Sequence, residues 1–314
     1  MTVGRVPRLL VLGAAGQLGW ELCRCLPPLA SVAAAARAGA GSGVATHAVD
    51  VSDAGALRRL LAEVKPAVVV NAAAYTAVDR AESEPREAQA VNAAAPGLLA
   101  EEVRRTGGLL IHYSTDYVFD GTSQRPYGEE DEPNPRNVYG ASKLAGERAV
   151  AQSGVRHLIL RTSWVYAARG RNFMLGMLRA ARERGALRVV DDQFGAPTAA
   201  RSLAEVTAQV LAQARVMGDD WLSERCGLYH AAAAGECTWY RFARAIFEQA
   251  PPVWTPGEVR PVTSAEYPSR AARPRSSRLD CRKLHANFGL ALGPWEEDLA
   301  RVMAEWAACV DATD

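Results

Sequence analysis

Two residues able to move a proton, Tyr139 and Lys143, stand four positions apart in the segment Tyr-Gly-Ala-Ser-Lys. On a helix this spacing places both side chains on one face, about 6 Å apart at their Cβ atoms. A lysine ammonium close to a phenol stabilises the phenolate and lowers the pKa of the tyrosine toward neutrality. Tyr139 could then give a proton to a carbonyl oxygen while a hydride reaches the carbonyl carbon. Pairs of this kind also occur by chance on helix surfaces, so the interpretation depends on the neighbouring motifs.

A second polar element precedes this pair. Residues 109–113 form an aliphatic run that predicts a strand, and Ser114 and Thr115 follow at its carboxyl end. A hydroxyl in that place could hydrogen-bond the carbonyl oxygen or the tyrosine hydroxyl and so position the transfer. We therefore predict Tyr139, Lys143 and Thr115 as the catalytic residues, with Ser114 as the alternative to Thr115.

A glycine-rich turn follows the first predicted strand, at residues 9–12, and opens a helix. Its first glycine allows a tight turn, its second lets the backbone approach a pyrophosphate, and its third permits close helix–strand packing. The helix N-terminus would add unpaired N–H groups for the anion. A purely structural turn is the alternative interpretation. The predicted dinucleotide contacts here are Gly13, Gly16, Gln17, Leu18 and Gly19.

The end of the second predicted strand bears on the choice of cofactor. Ala36 stands where NAD-binding domains often carry an acid for the ribose hydroxyls, and Arg37 follows it. No carboxylate would repel a 2′-phosphate, and a guanidinium could pair with one. This favours NADPH, with NADH as the second candidate; an arginine that is merely solvated at a loop start is the alternative interpretation of Arg37.

The glycine spacing, G-x-x-G-x-x-G, resembles that of the short-chain dehydrogenase/reductase superfamily. The resemblance implies an adenine contact at Asp50 and Val51. It also fits the small residues that follow the strand at 67–71, because they would let a dinucleotide lie flat across the sheet edge. Further predicted cofactor contacts are Ala73, Ala74 and Thr76, together with Tyr139 and Lys143.

Aliphatic runs alternate with helical stretches through the first half of the chain, which predicts an α/β fold with a doubly wound parallel sheet of the Rossmann type. One long helix is predicted over residues 87–105. Prolines then break the alternation in the C-terminal third. We predict a dinucleotide-binding domain at residues 8–165, to which later segments return, and a smaller, mainly substrate-binding lobe at 166–314.

The bulk properties exclude several classes of protein. The 314 residues carry a net charge of +1, which does not suggest nucleic acid as a partner. No apolar run reaches the length of a membrane span, and we expect a cytoplasmic protein. The six cysteines and five histidines show no metal-ligand spacing, so no metal site is predicted and the cysteines are expected to be reduced.

Longer segments resemble the dTDP-4-dehydrorhamnose reductase family of extended short-chain dehydrogenases/reductases. They lie at residues 16–22, 71–79, 113–119, 137–140, 161–166, 192–198, 273–274 and 277–279. The resemblance runs from about residue 9 to about 305. It implies reduction of the C4 ketone of dTDP-4-dehydro-β-L-rhamnose, with a dTDP-sugar as substrate.

The resemblance also implies roles for individual residues. Tyr139 would be the proton donor, Lys143 its partner and Thr115 the residue that tunes it. Asp116 would accept from sugar hydroxyls and Trp164 would pack on the hexose, unless its indole is plain core. The nucleotide diphosphate would be faced by Asn172, Gln193 and Arg273.

Two departures from the family pattern leave questions open. Some members carry an aspartate where this chain has Ala36, so use of both cofactors is in doubt. Some members dimerise through magnesium held by glutamates, one of which corresponds to Arg201 here, and an arginine cannot ligate a cation. Magnesium and the choice between monomer and homodimer therefore stay open.

Two alternative functions remain at this point. One is another dTDP-deoxysugar 4-ketoreductase, of the dihydrostreptose or 6-deoxytalose type. The other is a non-catalytic regulatory or binding subunit of the same fold, against which the joint presence of Tyr139, Lys143 and Thr115 argues.

Overall fold

The computed structural model describes residues 8–37 and 46–311, so the last three residues of the predicted C-terminal lobe lie outside it. The strands are β1 Arg8–Leu12, β2 Ser31–Ala36, β3 His47–Ala48, β4 Val68–Asn71, β5 Leu109–Thr115, β6 Arg156–Thr162, β7 Val165–Tyr166, β8 Ala186–Val190, β9 Phe194–Gly195, β10 Thr198–Ala199, β11 Gly227–His230, β12 Cys237–Thr238 and β13 Glu258–Val262. The helices are α1 Gln17–Cys25, α2 Ala54–Val64, α3 Val78–Ala81, α4 Pro85–Gln89, α5 Ala95–Arg105, α6 Val138–Gln152, α7 Phe173–Glu183, α8 Ala200–Met217, α9 Asp219–Ser223, α10 Trp239–Gln249, α11 Arg282–Phe288 and α12 Trp295–Asp311.

Seven strands form one sheet in the order β11-β6-β5-β4-β1-β2-β3, and all of its neighbours are parallel. The order runs outward in both directions from β1 and β4. Their carboxyl ends therefore border the crevice in which such sheets bind ligands. The predicted doubly wound α/β fold is confirmed.

Alternation along β1 explains how helices cover both faces of the sheet. Leu9 and Val11 belong to a buried cluster with α1 and α8, whereas Leu10 and Leu12 belong to another with α2 and α5. Successive side chains of a strand point to opposite faces, so an uninterrupted apolar run supplies both layers.

The C-terminal part builds a third core outside the sheet. Tyr166, Phe242, Trp295 and Trp306 are among its buried members, which come mostly from α7, α10 and α12. Beside it, β8 and β13 pair in parallel. Two later segments lie instead with the main sheet, since α8 packs on α1 and β11 extends the edge next to β6.

The single helix predicted over residues 87–105 is wrong in one respect. A π-helical turn at Ala90–Ala94 separates α4 from α5. Asn92 in this turn is fully buried, and its backbone carbonyl packs against Gly146 of α6 so closely that a Cβ there would collide with it. Turns of this kind often occur at functional sites.

Within the described part of the chain, no helix combines the length and the apolar character needed to cross a bilayer.

Candidate active site

The predicted catalytic residues come from the carboxyl end of β5 and the first turn of α6. Asn137 caps this helix, and its Oδ1 accepts from the Gly140 N–H at 2.7 Å. Tyr139 follows the cap by two residues, and the Thr115 hydroxyl at the end of β5 lies near enough to influence the pKa of its phenol. Thr115 Oγ1 in turn donates to Asp116 Oδ1 at 2.9 Å. The structure thus groups Tyr139, Thr115 and Asp116 at the carboxyl end of β5, with a hydrogen bond between the last two.

Lys143 lies one turn further along α6, but its ammonium group does not lie against the phenol. Its Nζ donates to the Tyr113 carbonyl at 2.6 Å and lies 3.4 Å from His112 Nε2. Burial raises the pKa of Tyr139 to about 12, and the nearby Thr115 hydroxyl opposes that rise. The expectation that Lys143 lowers the tyrosine pKa is therefore wrong for this arrangement, because the lysine is turned toward the main chain of β5.

Asp116 is a buried carboxylate, with 2% of its surface exposed. Burial raises its pKa to about 7, although the hydroxyls of Ser277 and Thr115 oppose the change. Its Oδ2 has no hydrogen-bond partner. A buried acceptor left without a donor is costly, so this oxygen is suited to accept from a ligand hydroxyl.

Two features of the crevice between β1 and β4 fit the predicted dinucleotide site. Gly13 has φ +80°, and a Cβ on it would lie 2.7 Å from the Ala73 nitrogen. At the start of α1 the N-cap residue is Gly16, and no side chain caps the helix. The uncapped start of α1 offers N–H donors to a pyrophosphate, and the glycines of the turn, which have no Cβ, leave room for it.

The predicted adenosine end lies at the carboxyl end of β2. Arg37 is exposed there, directly after Ala36. The pKa of Asp50 is lowered, first by its hydrogen bonds from Ser52 and to a smaller extent by the charge of Arg37. The structure therefore brings Arg37 and Asp50 to the same edge of the sheet, although the Asp50 carboxylate already accepts from the Ser52 N–H and hydroxyl.

The remaining predicted cofactor contacts lie along the same crevice. Ala73 and Ala74 are half-buried after β4, Thr76 is exposed beyond them, and Val51 is half-buried after Asp50.

Trp164 is neither a free platform nor an ordinary core residue. Its backbone has φ +47°, a left-handed conformation that is unusual for a bulky side chain. One face of its indole stacks on Trp239, and its ring lies so close to Gly195 that a Cβ there would be 2.5 Å from Cε2. Such strain persists only where the surroundings hold it, often at binding sites. Trp239 has no motif around it and was missed by the sequence analysis.

Asn172 occupies a different role from the one predicted. Its Oδ1 accepts from the Leu175 N–H at 2.9 Å and so caps α7. Its Nδ2 lies 2.8 Å from both Gln17 Oε1 and the Ala167 carbonyl. The amide is fully engaged within the protein, because Asn172 connects the start of α7 to the start of α1. Its contact with a nucleotide diphosphate stays a prediction.

The side chains of Gln193 and Arg273 also make hydrogen bonds within the protein, but each makes fewer than that of Asn172. Gln193 is buried and donates from Nε2 to Ser264 Oγ at 2.9 Å. Arg273 is paired with Asp79 at 2.8 Å on the surface.

A cavity of about 670 Å³ adjoins Arg273. Three other arginines line it, Arg136, Arg275 and Arg278, together with the ring of Phe194. Among the described residues, Arg278 is paired with Glu236, whereas no carboxylate lies within ion-pair distance of Arg136 or Arg275. The cavity is therefore suited to an anionic ligand.

Sequence reasoning also missed Asn92, whose side chain connects two parts of the site by hydrogen bonds. Its Oδ1 accepts from the Tyr75 N–H at 2.8 Å, and its Nδ2 donates to the Tyr75 carbonyl and to Ser142 Oγ at 3.0 Å each. Ser142 precedes Lys143. A buried asparagine in a π turn therefore links the loop after β4 to α6, and only the π turn, which has no sequence pattern, would have revealed it.

Over residues 8–37 and 46–311, no three His, Cys, Asp or Glu side chains are grouped as a metal site would require. Arg201 pairs with Glu205 at 3.0 Å, and the nearby charges of Glu21 and Glu305 also raise its pKa.

Comparisons with known proteins agree with this geometry. The chain matches the family described as RmlD substrate binding domain over residues 7–308. It is 47% identical to a dTDP-4-dehydrorhamnose reductase of Burkholderia thailandensis, over 92% of this chain and 95% of that protein. The corresponding figures for the Escherichia coli K12 reductase are 42%, 95% and 97%.

Solved structures give the same result. A dTDP-4-dehydrorhamnose reductase from Bacillus anthracis, in complex with NADP, has a TM-score of 0.85 and 33% identity and covers 96% of this chain and 100% of that one. A Thermus thermophilus UDP-glucose 4-epimerase, at 21% identity and a TM-score of 0.79, shares the fold. The resemblance found in the sequence is confirmed, and the chain belongs to the RmlD substrate binding domain family, together with the dTDP-4-dehydrorhamnose reductases.

Proposed function

We propose that this protein reduces the C4 ketone of dTDP-4-dehydro-β-L-rhamnose to dTDP-L-rhamnose with NADPH. The observation that carries the proposal is the grouping of the Tyr139 phenol, at the start of α6, with the Thr115 hydroxyl at the carboxyl end of β5. A phenol in this position would supply a proton beside the crevice in which a doubly wound sheet binds its dinucleotide. Two relatives of similar length, both named dTDP-4-dehydrorhamnose reductase, support the choice of reaction.

The residues present fit a nicotinamide dinucleotide, which would supply the hydride. The Gly13 turn and the uncapped start of α1 would hold its pyrophosphate. Arg37 would face the 2′-phosphate, and the Bacillus anthracis relative is described in complex with NADP. Lys143 would bind the nicotinamide ribose.

Tyr139 would deliver the proton to the ketone oxygen. Burial keeps the phenol protonated near neutral pH, since its pKa is about 12. The Thr115 hydroxyl, which donates to Asp116 in this structure, would turn to donate to the same oxygen and hold it in line with the phenol. A preorganised pair of donors at the place where negative charge develops is an effective way to lower the barrier.

The sugar would lie between Asp116 and Trp164. The unpartnered Oδ2 of Asp116 would accept from a hexose hydroxyl, and the exposed part of the Trp164 indole would contact the ring. The diphosphate would reach the cavity lined by Arg273, where Arg136 and Arg275 could neutralise it. Gln193 precedes Phe194, which lines that cavity, and would contribute from beside it.

The test is direct. Purified protein is incubated with NADPH and freshly prepared dTDP-4-dehydrorhamnose, and loss of NADPH absorbance is followed while the product is identified by NMR. We expect stoichiometric formation of dTDP-L-rhamnose and no oxidation of NADPH with dTDP-glucose, which has no ketone. A product with the 6-deoxytalose configuration, or no turnover at all, would contradict the proposal.

A further inference from the structure

Three buried polar side chains, Asn71, His112 and Lys143, form a row across β4, β5 and α6. Asn71 ends β4, and it is in register with His112 of β5. Asn71 Nδ2 lies 3.1 Å from His112 Nδ1, and His112 Nε2 lies 3.4 Å from Lys143 Nζ. His112 is completely buried, and the other two are each 2% exposed. Polar groups this deeply buried must satisfy one another, so their hydrogen atoms can be assigned.

The backbone determines the orientation of the Asn71 amide. Its Oδ1 accepts from the Ala73 N–H at 3.2 Å. Turning the amide over would place two donors against each other at that contact. The NH2 group must therefore face His112 Nδ1, which has to accept. A neutral imidazole has one N–H, so the hydrogen of His112 must be on Nε2, which faces Lys143.

The hydrogens of Lys143 can then be counted. One is donated to the Tyr113 carbonyl. In the neutral amine, the lone pair can accept the Nε2–H of His112, and one hydrogen stays free for a ligand. In the ammonium, every position of Nζ carries a hydrogen, and one of them would oppose the Nε2–H.

We propose that His112, held in one tautomer by Asn71, is a positioning residue that controls the protonation of Lys143 by donating to its neutral amine. The chain of contacts begins at Ala73, in the predicted floor of the dinucleotide site, and ends at the lysine of the catalytic helix. These contacts link the predicted cofactor-binding edge of the sheet to the protonation state of Lys143.

Other charged or titratable groups face Lys143 less directly. On its own helix, Tyr139 lies one turn before it, and Glu147 one turn after it binds Arg161 of β6 through two hydrogen bonds. On β5, the Tyr113 phenol is bonded to Thr207 of α8. The loop after β4 contributes the uncharged Asn71, and the π turn contributes Asn92. Among the described residues, His112 is thus the titratable side chain in contact with Nζ.

The electrostatics agree with this geometry. Burial lowers the pKa of Lys143 to about 8, and the charge of Glu147 opposes the change. Burial and the charge of Lys143 lower the pKa of His112 well below its ordinary value, so the imidazole stays neutral.

The chain offers an unusually clear spectroscopic test, because its lysines are Lys65, Lys143 and Lys283 alone. In protein labelled with ¹³C at lysine Cε, the three signals can be followed separately as pH is raised. Lys65 is exposed and Lys283 half-buried, and they serve as internal references. Lys143 is expected to titrate with a midpoint near 8. Labelling the histidines with ¹⁵N reports directly which nitrogen of His112 carries the hydrogen.

Two results decide the proposal. In the unmodified protein His112 must be protonated on Nε2; protonation on Nδ1 overturns the proposal. In His112→Gln, the amide carbonyl can turn toward Lys143 and accept from its ammonium, so the midpoint should rise by about 1 pH unit or more. An unchanged midpoint also overturns it. If the variant does not fold, the tautomer of the unmodified protein still decides.

His157→Gln is the matched control. It makes the same exchange on the neighbouring strand β6, where the imidazole contacts the Val155 carbonyl and not Lys143. The Lys143 midpoint should not move in this variant.

The catalytic consequence rests on the proposed function. The alkaline limb of kcat/KM for the ketone should follow the Lys143 midpoint and move upward in His112→Gln. Because the NMR titration needs neither substrate nor turnover, failure of the proposed reaction and failure of the His112 proposal are distinguishable.

Discussion

The indoles of Trp164 and Trp239 stack face to face, with ring centroids 3.5 Å apart and planes 8° from parallel. Trp239 opens α10 in the C-terminal lobe, whereas Trp164 follows β6 of the main sheet. The pair therefore joins the two parts of the molecule at the place where the sugar is proposed to bind.

Trp164→Ala should weaken binding of the sugar nucleotide and leave NADPH affinity unchanged. Aromatic contacts are worth about 0.5–1.5 kcal/mol beyond their buried area, so the KM for the sugar nucleotide should rise roughly tenfold. Steady-state kinetics and the melting temperature are measured together. The control is Trp254→Ala, which removes an indole packed edge-on against Trp306 in the same lobe. If Trp164→Ala behaves like this control and only loses stability, Trp164 is core.

Tyr139→Phe should reduce kcat by a factor of about 10² to 10⁴, because it removes the proposed general acid. The Kd for NADPH, measured by nicotinamide fluorescence, should stay near that of the unmodified protein. The control is Tyr113→Phe. Tyr113 immediately precedes Ser114 on β5, and its hydroxyl is hydrogen-bonded to Thr207, so this variant should keep its turnover. Retention of more than about a tenth of the turnover by Tyr139→Phe would exclude it as the donor.

Asp116 should make the protein less stable as pH rises. Its pKa is about 7 in the folded protein and lower when unfolded, because burial disfavours the charged form. The stabilising effect of the protonated group is complete below the unfolded pKa and is lost as pH rises through the folded one. From about pH 4 to about pH 8 the free energy of unfolding should fall, by at most on the order of 4 kcal/mol from this group.

Urea denaturation at several pH values measures the effect of Asp116. The slope should flatten in Asp116→Asn. It should persist in Asp120→Asn, because hydrogen bonds from Thr122 lower the pKa of Asp120 to about 2. A steep slope that survives in Asp116→Asn would assign the effect to another group.

Arg37→Ala should erode the preference for NADPH. A charge-assisted hydrogen bond is worth about 1.5–3 kcal/mol, or roughly a tenfold to hundredfold preference, and exposure of Arg37 places the effect at the lower end. The KM for NADPH should rise while that for NADH barely moves. Arg58→Ala removes another exposed arginine, one paired with Glu102, and should change neither value. Equal use of both cofactors by the unmodified protein would show that Arg37 does not contact the phosphate.

The amino-acid sequence determined the features that depend on local spacing. The apolar runs around β1, β4 and β5 predicted the parallel sheet, since burial on both faces requires such runs. The Gly13 turn and the spacing of Tyr139 and Lys143 could likewise be recognised, because each is defined by backbone geometry within a few residues.

Tertiary structure decided which way the side chains face and what they contact. Lys143 has the predicted place on α6, yet its amine binds β5 because the Tyr113 carbonyl lies within reach of it. The Asn172 amide is hydrogen-bonded to Gln17, which is far away in the sequence. The contacts of Trp239 and His112 likewise join separate elements. Hydrogen bonds and ring stacking are sensitive to changes of a few tenths of an ångström in the separation between such elements, and periodicity along the chain carries no information about that separation.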